Sequence, residues 1–100
     1  MTYQQKMVSA IEKAERWQDE VDQHEAEAEA EAIEIIRAKR HRKDKARPVV
    51  MGPVLVSHIK GVLENDTMYK RAVSNRNAQQ TLAQMYGTAA LVAAQYGLEA

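Results

Sequence analysis

The stretch RPVVMGPVLV, residues 47–56, decides how this chain of 100 residues folds. Two prolines and a glycine within six residues are typical of a connector, because proline cannot continue a helix and disfavours helical backbone in the residue before it. No glycine or proline occurs earlier in the chain. The connector, residues 47–53, therefore separates a long first arm from a second arm that begins near Pro53, a residue that suits the first position of a helix.

The first arm consists mainly of Ala, Glu, Lys, Gln and Arg, which are good helix formers. Thr2 and Gln5 have the spacing of a capping box, and Pro48 disfavours helix immediately before it. We expect one helix over about residues 3–46. A heptad seam follows this helix and is interrupted at Glu31. Its members are Tyr3, Met7, Ala10, Ala14, Trp17, Val21, His24 and Ala28, continued by Ile35 and Ala38.

Glu and Ala alternate over residues 25–32, and a period of two formally fits a strand. Both residues are nevertheless poor strand formers and strong helix formers. The alternation therefore predicts a solvated part of the same helix, with Glu distributed around much of its circumference.

The second arm is predicted to contain a short helix over about residues 54–64 and a longer one over about residues 67–96. Asn65 or Asp66 is the expected cap of the longer helix, and Gly97 followed by Leu98 predicts a Schellman stop. The fold we expect is all-α, a single domain of residues 1–100 in which the long first helix and the broken second arm form an antiparallel helical hairpin. One face of the last helix is expected to carry Met68, Tyr69, Ala72, Val73, Leu82, Ala83, Tyr86, Ala90 and Ala93.

The composition predicts a thin core. Sixteen of the 45 hydrophobic residues are Ala, and none is Phe. Chains this short bury little surface alone, so we expect an elongated helical shape or a homo-oligomer. There is no Cys, no apolar stretch of membrane-spanning length and no recognisable signal peptide. We therefore expect a cytoplasmic protein with no membrane partner.

The charges are segregated although the net charge is zero. Residues 1–36 contain ten acidic and three basic residues, whereas residues 37–47 contain seven basic residues and one Asp. Three interpretations of the basic block stay open: a solvated helix end that complements the helix dipole, a protein-binding surface, or a contact with nucleic acid or an anionic membrane. No aromatic side chain for base stacking lies within residues 18–68. The candidate contacts are Arg37, Lys39, Arg40, Arg42, Lys43, Lys45 and Arg47.

Aromatic and apolar residues on the two long helices are candidates for a helix interface. They either form the core or anchor a partner. These residues are Trp17, Val21, Tyr69, Leu82, Tyr86 and Ala90. Two small-residue pairs, Ala83 with Gly87 and Ala90 with Ala94, would allow a neighbouring helix to approach closely.

Catalytic and metal-binding patterns are weak. Glu20, His24 and Glu27 share a helix face at metal-ligand spacing, but no second segment offers a matching set. Ser57 and His58 are adjacent, and neighbours on a helix point in different directions, so they do not form a nucleophile–base pair. We therefore expect no enzyme, no metal and no cofactor.

The sequence LENDTMYKRAVSNRNAQQTLAQMYGTAALVAAQYG, residues 63–97, resembles the ends of small uncharacterised all-helical proteins of tailed bacteriophages, particularly those of actinobacteria. The shared feature is an Asn-Asp-x-x-Tyr start followed by an Ala-rich helix. The resemblance implies a virion component or accessory factor, located in the virion or the host cytoplasm. Our leading hypothesis is a non-enzymatic protein that binds other protein chains or copies of itself. The alternative is a nucleic-acid-associated protein that uses residues 37–47.

Overall fold

The computed structural model describes residues 1–97, and these contain three helices: α1 (Tyr3–Ala38), α2 (Pro53–Glu64) and α3 (Thr67–Gln95). The predicted all-α hairpin is confirmed. Two compact units are distinguishable. Unit 1 comprises Met1–Glu20 and the chain from Arg71 onward, and unit 2 comprises Val21–Lys70. The interpretation of residues 1–100 as one domain stays a prediction.

Helix α1 begins with the predicted capping box. The backbone N–H of Gln5 donates to Thr2 Oγ1 at 3.1 Å, and the Thr2 N–H donates to Gln5 Oε1 at 2.9 Å. Each bond satisfies a backbone donor that has no partner inside the helix. The predicted start of this helix is therefore confirmed.

The predicted end of α1 was wrong. The helix stops at Ala38, not near residue 46, and residues 39–47 form a series of turns. The block carries like charges three and four residues apart, as in the pairs Lys39–Arg42 and Lys39–Lys43, and such pairs repel on a helix. This repulsion outweighs the good helix propensity of Lys and Arg. The link between α1 and α2 is consequently residues 39–52, longer than the predicted connector.

In unit 1, α1 and α3 pack as an antiparallel hairpin. Arg76 Nη1 donates to Gln18 Oε1 at 3.0 Å, and the Lys6 ammonium lies 5.8 Å from the centre of the Tyr86 ring. The Lys6 ammonium also lies 5.6 Å from the ring of Tyr3. A residue near the start of α1, Lys6, thus lies beside a residue late in α3, Tyr86, and a later residue of α1, Gln18, contacts an earlier residue of α3, Arg76. This order shows that the two helices run in opposite directions.

Small side chains let the two helices approach closely. A Cβ atom built on Gly87 would lie 3.1 Å from the sulfur of Met7. The residues of α3 that face inward are spaced by alternate steps of four and three, which is a second heptad seam. Its members are Ala72, Arg76, Gln79, Ala83, Tyr86, Ala90 and Ala93. Met68, which was predicted on this face, is instead 56% exposed.

In unit 2, one short turn joins α2 to α3, and each of its two residues caps one helix: Asn65 the end of α2 and Asp66 the start of α3. Asn65 is the C-cap of α2, and its Nδ2 donates to the carbonyl of Gly61 at 3.1 Å. Asp66 Oδ1 accepts the N–H of Tyr69 at 3.0 Å at the start of α3. Asp66 Oδ2 also lies 3.2 Å from Nδ1 of His24 on α1. Asp66 therefore links the α2–α3 turn to α1.

The core of the described chain is thin, as predicted. Apart from Val21 and Leu55, its buried apolar side chains are all alanines. They are Ala10, Ala14, Ala28, Ala32, Ala72 and Ala93. After Ala28, the next buried position of the α1 seam is Ala32 and not Glu31, which is exposed. This shift of one residue explains the interruption of the heptad pattern in the sequence.

Gly97 has φ +66°, the left-handed conformation expected of a helix stop, while Leu98 lies outside the described residues.

Candidate interaction surfaces

The first candidate surface is the basic turn segment, Lys39–Arg47. Arg40 Nη1 donates to the carbonyl oxygens of Arg47 at 2.6 Å and of Asp44 at 3.4 Å. The Arg40 guanidinium thus holds the turns together, which sequence reasoning could not detect. Ion pairs also tie Arg47 to Asp44 at 3.8 Å and Arg37 to Glu34 at 3.7 Å.

Four other cations of the block project into solvent: Lys39, Arg42, Lys43 and Lys45. Within the described part of the chain, none of these four lies in an ion pair. The interpretation as a solvated helix end applies only to Arg37, the one basic residue in the last turn of α1. The other two interpretations, a protein partner and a nucleic acid or anionic membrane, stay predictions.

An apolar cleft of about 340 Å³ lies beside the basic turn segment. Its apolar walls are Ile36, Val49, Val50, Pro53, Val54 and Leu55, and Arg40 also lines it. Leu55 is buried, whereas Val50 and Val54 are 76% and 63% exposed. The neighbouring Met51 is 62% exposed. Sequence reasoning missed the cleft because its walls come from α1, the connector and α2, which only tertiary packing brings together.

A larger open groove, about 770 Å³, lies in unit 2 between the later part of α1 and α2. Glu31 and Asp66 contribute acidic side chains to it and Lys39 a basic one, and the His58 ring also lines it. The His58 ring donates from Nδ1 to the carbonyl of Val54 at 2.8 Å, since a carbonyl oxygen can only accept. His58 is therefore oriented by its own helix, and Ser57 is exposed beside it.

Glu20, His24 and Glu27, which have metal-ligand spacing in the sequence, do not converge on a common point in the structure. Glu20 and Glu27 are exposed, and Glu27 Oε1 accepts a bond from Gln23 Nε2 at 3.3 Å. The His24 ring lies against Asp66. Among residues 1–97, no group of three or more His, Asp or Glu side chains is arranged to hold a metal ion.

The second candidate surface is the α3 outer face, which we define as Thr81, Met85, Thr88, Ala89, Val92 and, one residue beyond the end of the helix, Tyr96. These residues recur at helical spacing on the side of α3 away from its seam. Met85 is 60% exposed, Val92 44% and Tyr96 70%. Leu91, on a neighbouring strip, is 71% exposed. No residue between Arg76 and Glu99 carries a charge, so this face has none of the ionised groups typical of a solvated helix surface.

The six residues predicted for a helix interface lie on the packed sides of the helices. Val21 is buried at 1% exposure, and the other five are half-buried. Those five are Trp17, Tyr69, Leu82, Tyr86 and Ala90. These side chains contribute to packing within the chain, and the exposed apolar residues of α3 lie elsewhere.

Comparison of the chain with models of known protein families, with curated proteins and with solved structures found no match in any of the three. The resemblance of residues 63–97 to phage proteins therefore stays a prediction. Within residues 1–97, no helix has the length and apolar character needed to cross a membrane.

Proposed function

We propose that this protein is a non-enzymatic assembly protein that binds other protein chains, including copies of itself, through the α3 outer face. The observation that carries the proposal is an uncharged helix surface with large apolar side chains in solvent. Met85, Val92 and Tyr96 are each more than two-fifths exposed, and no charge lies between Arg76 and Glu99. Large apolar side chains that recur together on an exposed surface typically mark a contact with another protein.

A second copy is the partner that this surface fits best. An uncharged face is complementary to another uncharged face, and two identical faces related by a two-fold axis satisfy each other symmetrically. Thr88 and Ala89 are small, so they let the second helix come close to the backbone between Met85 and Val92. Two hairpins joined in this way would form a four-helix arrangement.

The expected affinity follows from the exposed area. Full burial of a Met, Val or Tyr side chain contributes about 1.5–3 kcal/mol, and these residues are already partly covered. Three such side chains from each copy contribute roughly 5–10 kcal/mol. Association costs at least about 4 kcal/mol in lost translational and rotational freedom. The net gain is then at most about 6 kcal/mol, so we expect a weak dimer with a dissociation constant of roughly tens of micromolar or higher.

Light scattering over a concentration series tests the proposal. The wild-type mass should rise toward twice the monomer mass of 11.3 kDa as concentration increases. Met85→Glu should stay monomeric, because a carboxylate would be buried in an apolar contact. Met68→Glu is the matched control, since Met68 lies on the same helix and is 56% exposed against 60% for Met85.

Two outcomes would contradict this proposal. A wild-type chain that is monomeric at every concentration would exclude self-association, and equal effects of both substitutions would exclude the α3 outer face. If the resemblance of residues 63–97 also holds, the assembly is a phage virion component or an accessory factor of virion assembly. Co-purification with tagged Met85→Glu and wild-type bait from infected cells would test that extension.

A further inference from the structure

We propose that the basic turn segment and the apolar cleft together bind an acidic amphipathic segment of another protein. This site is separate from the α3 outer face, because all of its residues lie in unit 2. Arg40 belongs to both parts of the site. Its guanidinium orders the turns and its side chain lines the cleft. The cations and the apolar walls are thus held next to each other.

The charge of the site selects an acidic partner. Lys39, Arg42, Lys43 and Lys45 are exposed, and no other described residue forms an ion pair with them. Helix α2 begins at Pro53 without a side-chain cap, so the positive end of its dipole faces the same region. Together these groups attract carboxylates.

The cleft selects an apolar anchor beside the carboxylates. Val50, Met51 and Val54 are each more than three-fifths exposed, and the cleft volume of about 340 Å³ suits one or two apolar side chains. A suitable partner helix has one large apolar residue per turn on one side. One of these residues would insert into the apolar cleft. Its acidic residues would then meet the basic turn segment, as in other helix-in-groove contacts.

Three other occupants fit less well. In a second copy, residues 25–32 alternate Glu with Ala, and the large apolar residues that flank them, Val21 and Ile33, are buried or half-buried in the chain's own packing. A nucleic acid would contact the cations but leave Val50, Met51 and Val54 in solvent, and no aromatic residue lies nearby to stack on bases. An anionic lipid surface is flat, whereas the cleft is concave, and Glu34 and Asp44 at the site would be repelled by it.

Fluorescence anisotropy with a defined probe tests the proposal. The probe is a labelled synthetic helical peptide of Glu and Ala with Leu residues one turn apart on one face. Two companion peptides replace every Leu by Ala or every Glu by Gln. We expect saturable binding of the first peptide below about 1 mM, weaker by about tenfold for either companion, and weaker again at high salt.

Variants of the full chain locate the site. The double substitution Lys43→Glu with Lys45→Glu should weaken binding by roughly tenfold, and Val54→Asp by a similar factor. Lys70→Glu, an exposed charge reversal outside the site, is the matched control and should leave the affinity unchanged. Met85→Glu should also leave it unchanged, which separates this site from self-association through α3. All substituted side chains are exposed, and circular dichroism confirms that each variant keeps its helices.

Several results would overturn the proposal. The first is no saturable peptide binding up to about 1 mM. The second is equal binding of the Gln-substituted peptide, and the third is equal weakening by Lys70→Glu and the Lys43, Lys45 double variant. Tighter binding of a duplex DNA or of phosphatidylserine vesicles than of the acidic peptide would assign the basic turn segment to those ligands instead.

Discussion

Asp66 is the residue whose replacement tests the α2–α3 turn most directly. One carboxylate oxygen accepts the Tyr69 N–H at 3.0 Å, and the other lies 3.2 Å from Nδ1 of His24. Asp66→Ala removes both contacts, whereas Asp66→Asn keeps an oxygen for the Tyr69 N–H and loses the carboxylate. The two substitutions therefore separate the helix cap from the contact with α1.

The magnitudes differ for the two contacts. An N-cap contributes about 0.5–2 kcal/mol, and a partly exposed side-chain contact such as that of Asp66 with His24 about 0.2–1 kcal/mol. The Asp66 side chain is 29% exposed and that of His24 20%, so solvent screens this pair in part. We expect Asp66→Ala to lower the free energy of unfolding by about 1–3 kcal/mol and Asp66→Asn by about 0.2–1 kcal/mol.

Urea denaturation followed by circular dichroism measures these differences. Glu64→Ala, an exposed acid two positions earlier, is the control and should change stability by less than about 0.5 kcal/mol. A double-mutant cycle of His24→Ala with Asp66→Asn should give a coupling energy of about 0.2–1 kcal/mol. If Asp66→Asn costs as much as Asp66→Ala, the capping argument fails. A coupling energy of zero would refute the role assigned to the contact with α1.

Three further predictions concern the core, the glycines and the basic turn segment. Val21→Ala should lower the free energy of unfolding by about 2–3 kcal/mol, because it removes two buried methyl groups and leaves a cavity, whereas the same change at the 46%-exposed Val8 should cost under about 1 kcal/mol. Equal losses in urea denaturation would contradict the burial pattern. Gly61→Ala should raise stability by about 0.5–1 kcal/mol, since open space surrounds the added methyl group in α2. Gly87→Ala should gain less, because its methyl group would meet a methionine sulfur at 3.1 Å, and a larger gain in thermal unfolding would count against close packing there. Arg40→Ala should accelerate trypsin cleavage at the remaining Lys and Arg residues of the basic turn segment severalfold, by removing the bonds to two carbonyl groups, and unchanged cleavage rates at those residues would show that the guanidinium does not order the turns.

Local signals in the sequence predicted much of the fold. Thr2 and Gln5 form the capping box because only residues three apart are involved, and Pro53 begins α2 for a similarly local reason. The first seam was visible because its spacing is regular as far as Ala28. Each of these features depends on a few residues that are close in the sequence, so it could be recognised from a single sequence.

The features that were missed depend on competition between helix propensity and charge repulsion, or on contacts between residues that are far apart in the sequence. Propensity favoured helix through the basic block, but repulsion between its cations ends α1 at Ala38. The seam of α3 was obscured because polar Arg76 and Gln79 occupy two of its positions, and the Arg76–Gln18 contact joins distant parts of the sequence. The apolar cleft likewise exists only once α1 and α2 are packed. Its walls could not be assembled from periodicity alone.

The alanine seam has a consequence for how this protein tolerates mutation over evolutionary time. In most small proteins, trimming a large buried side chain is the common route to instability. Here the buried positions Ala10, Ala14, Ala28 and Ala32 are already nearly as small as a side chain can be. At these positions, replacement of Ala by a larger residue is the damaging change, because each added methyl group forces closely packed helices apart. Lineages of this chain should therefore vary freely in their exposed Glu and Lys residues while these positions admit only Gly, Ala or Ser.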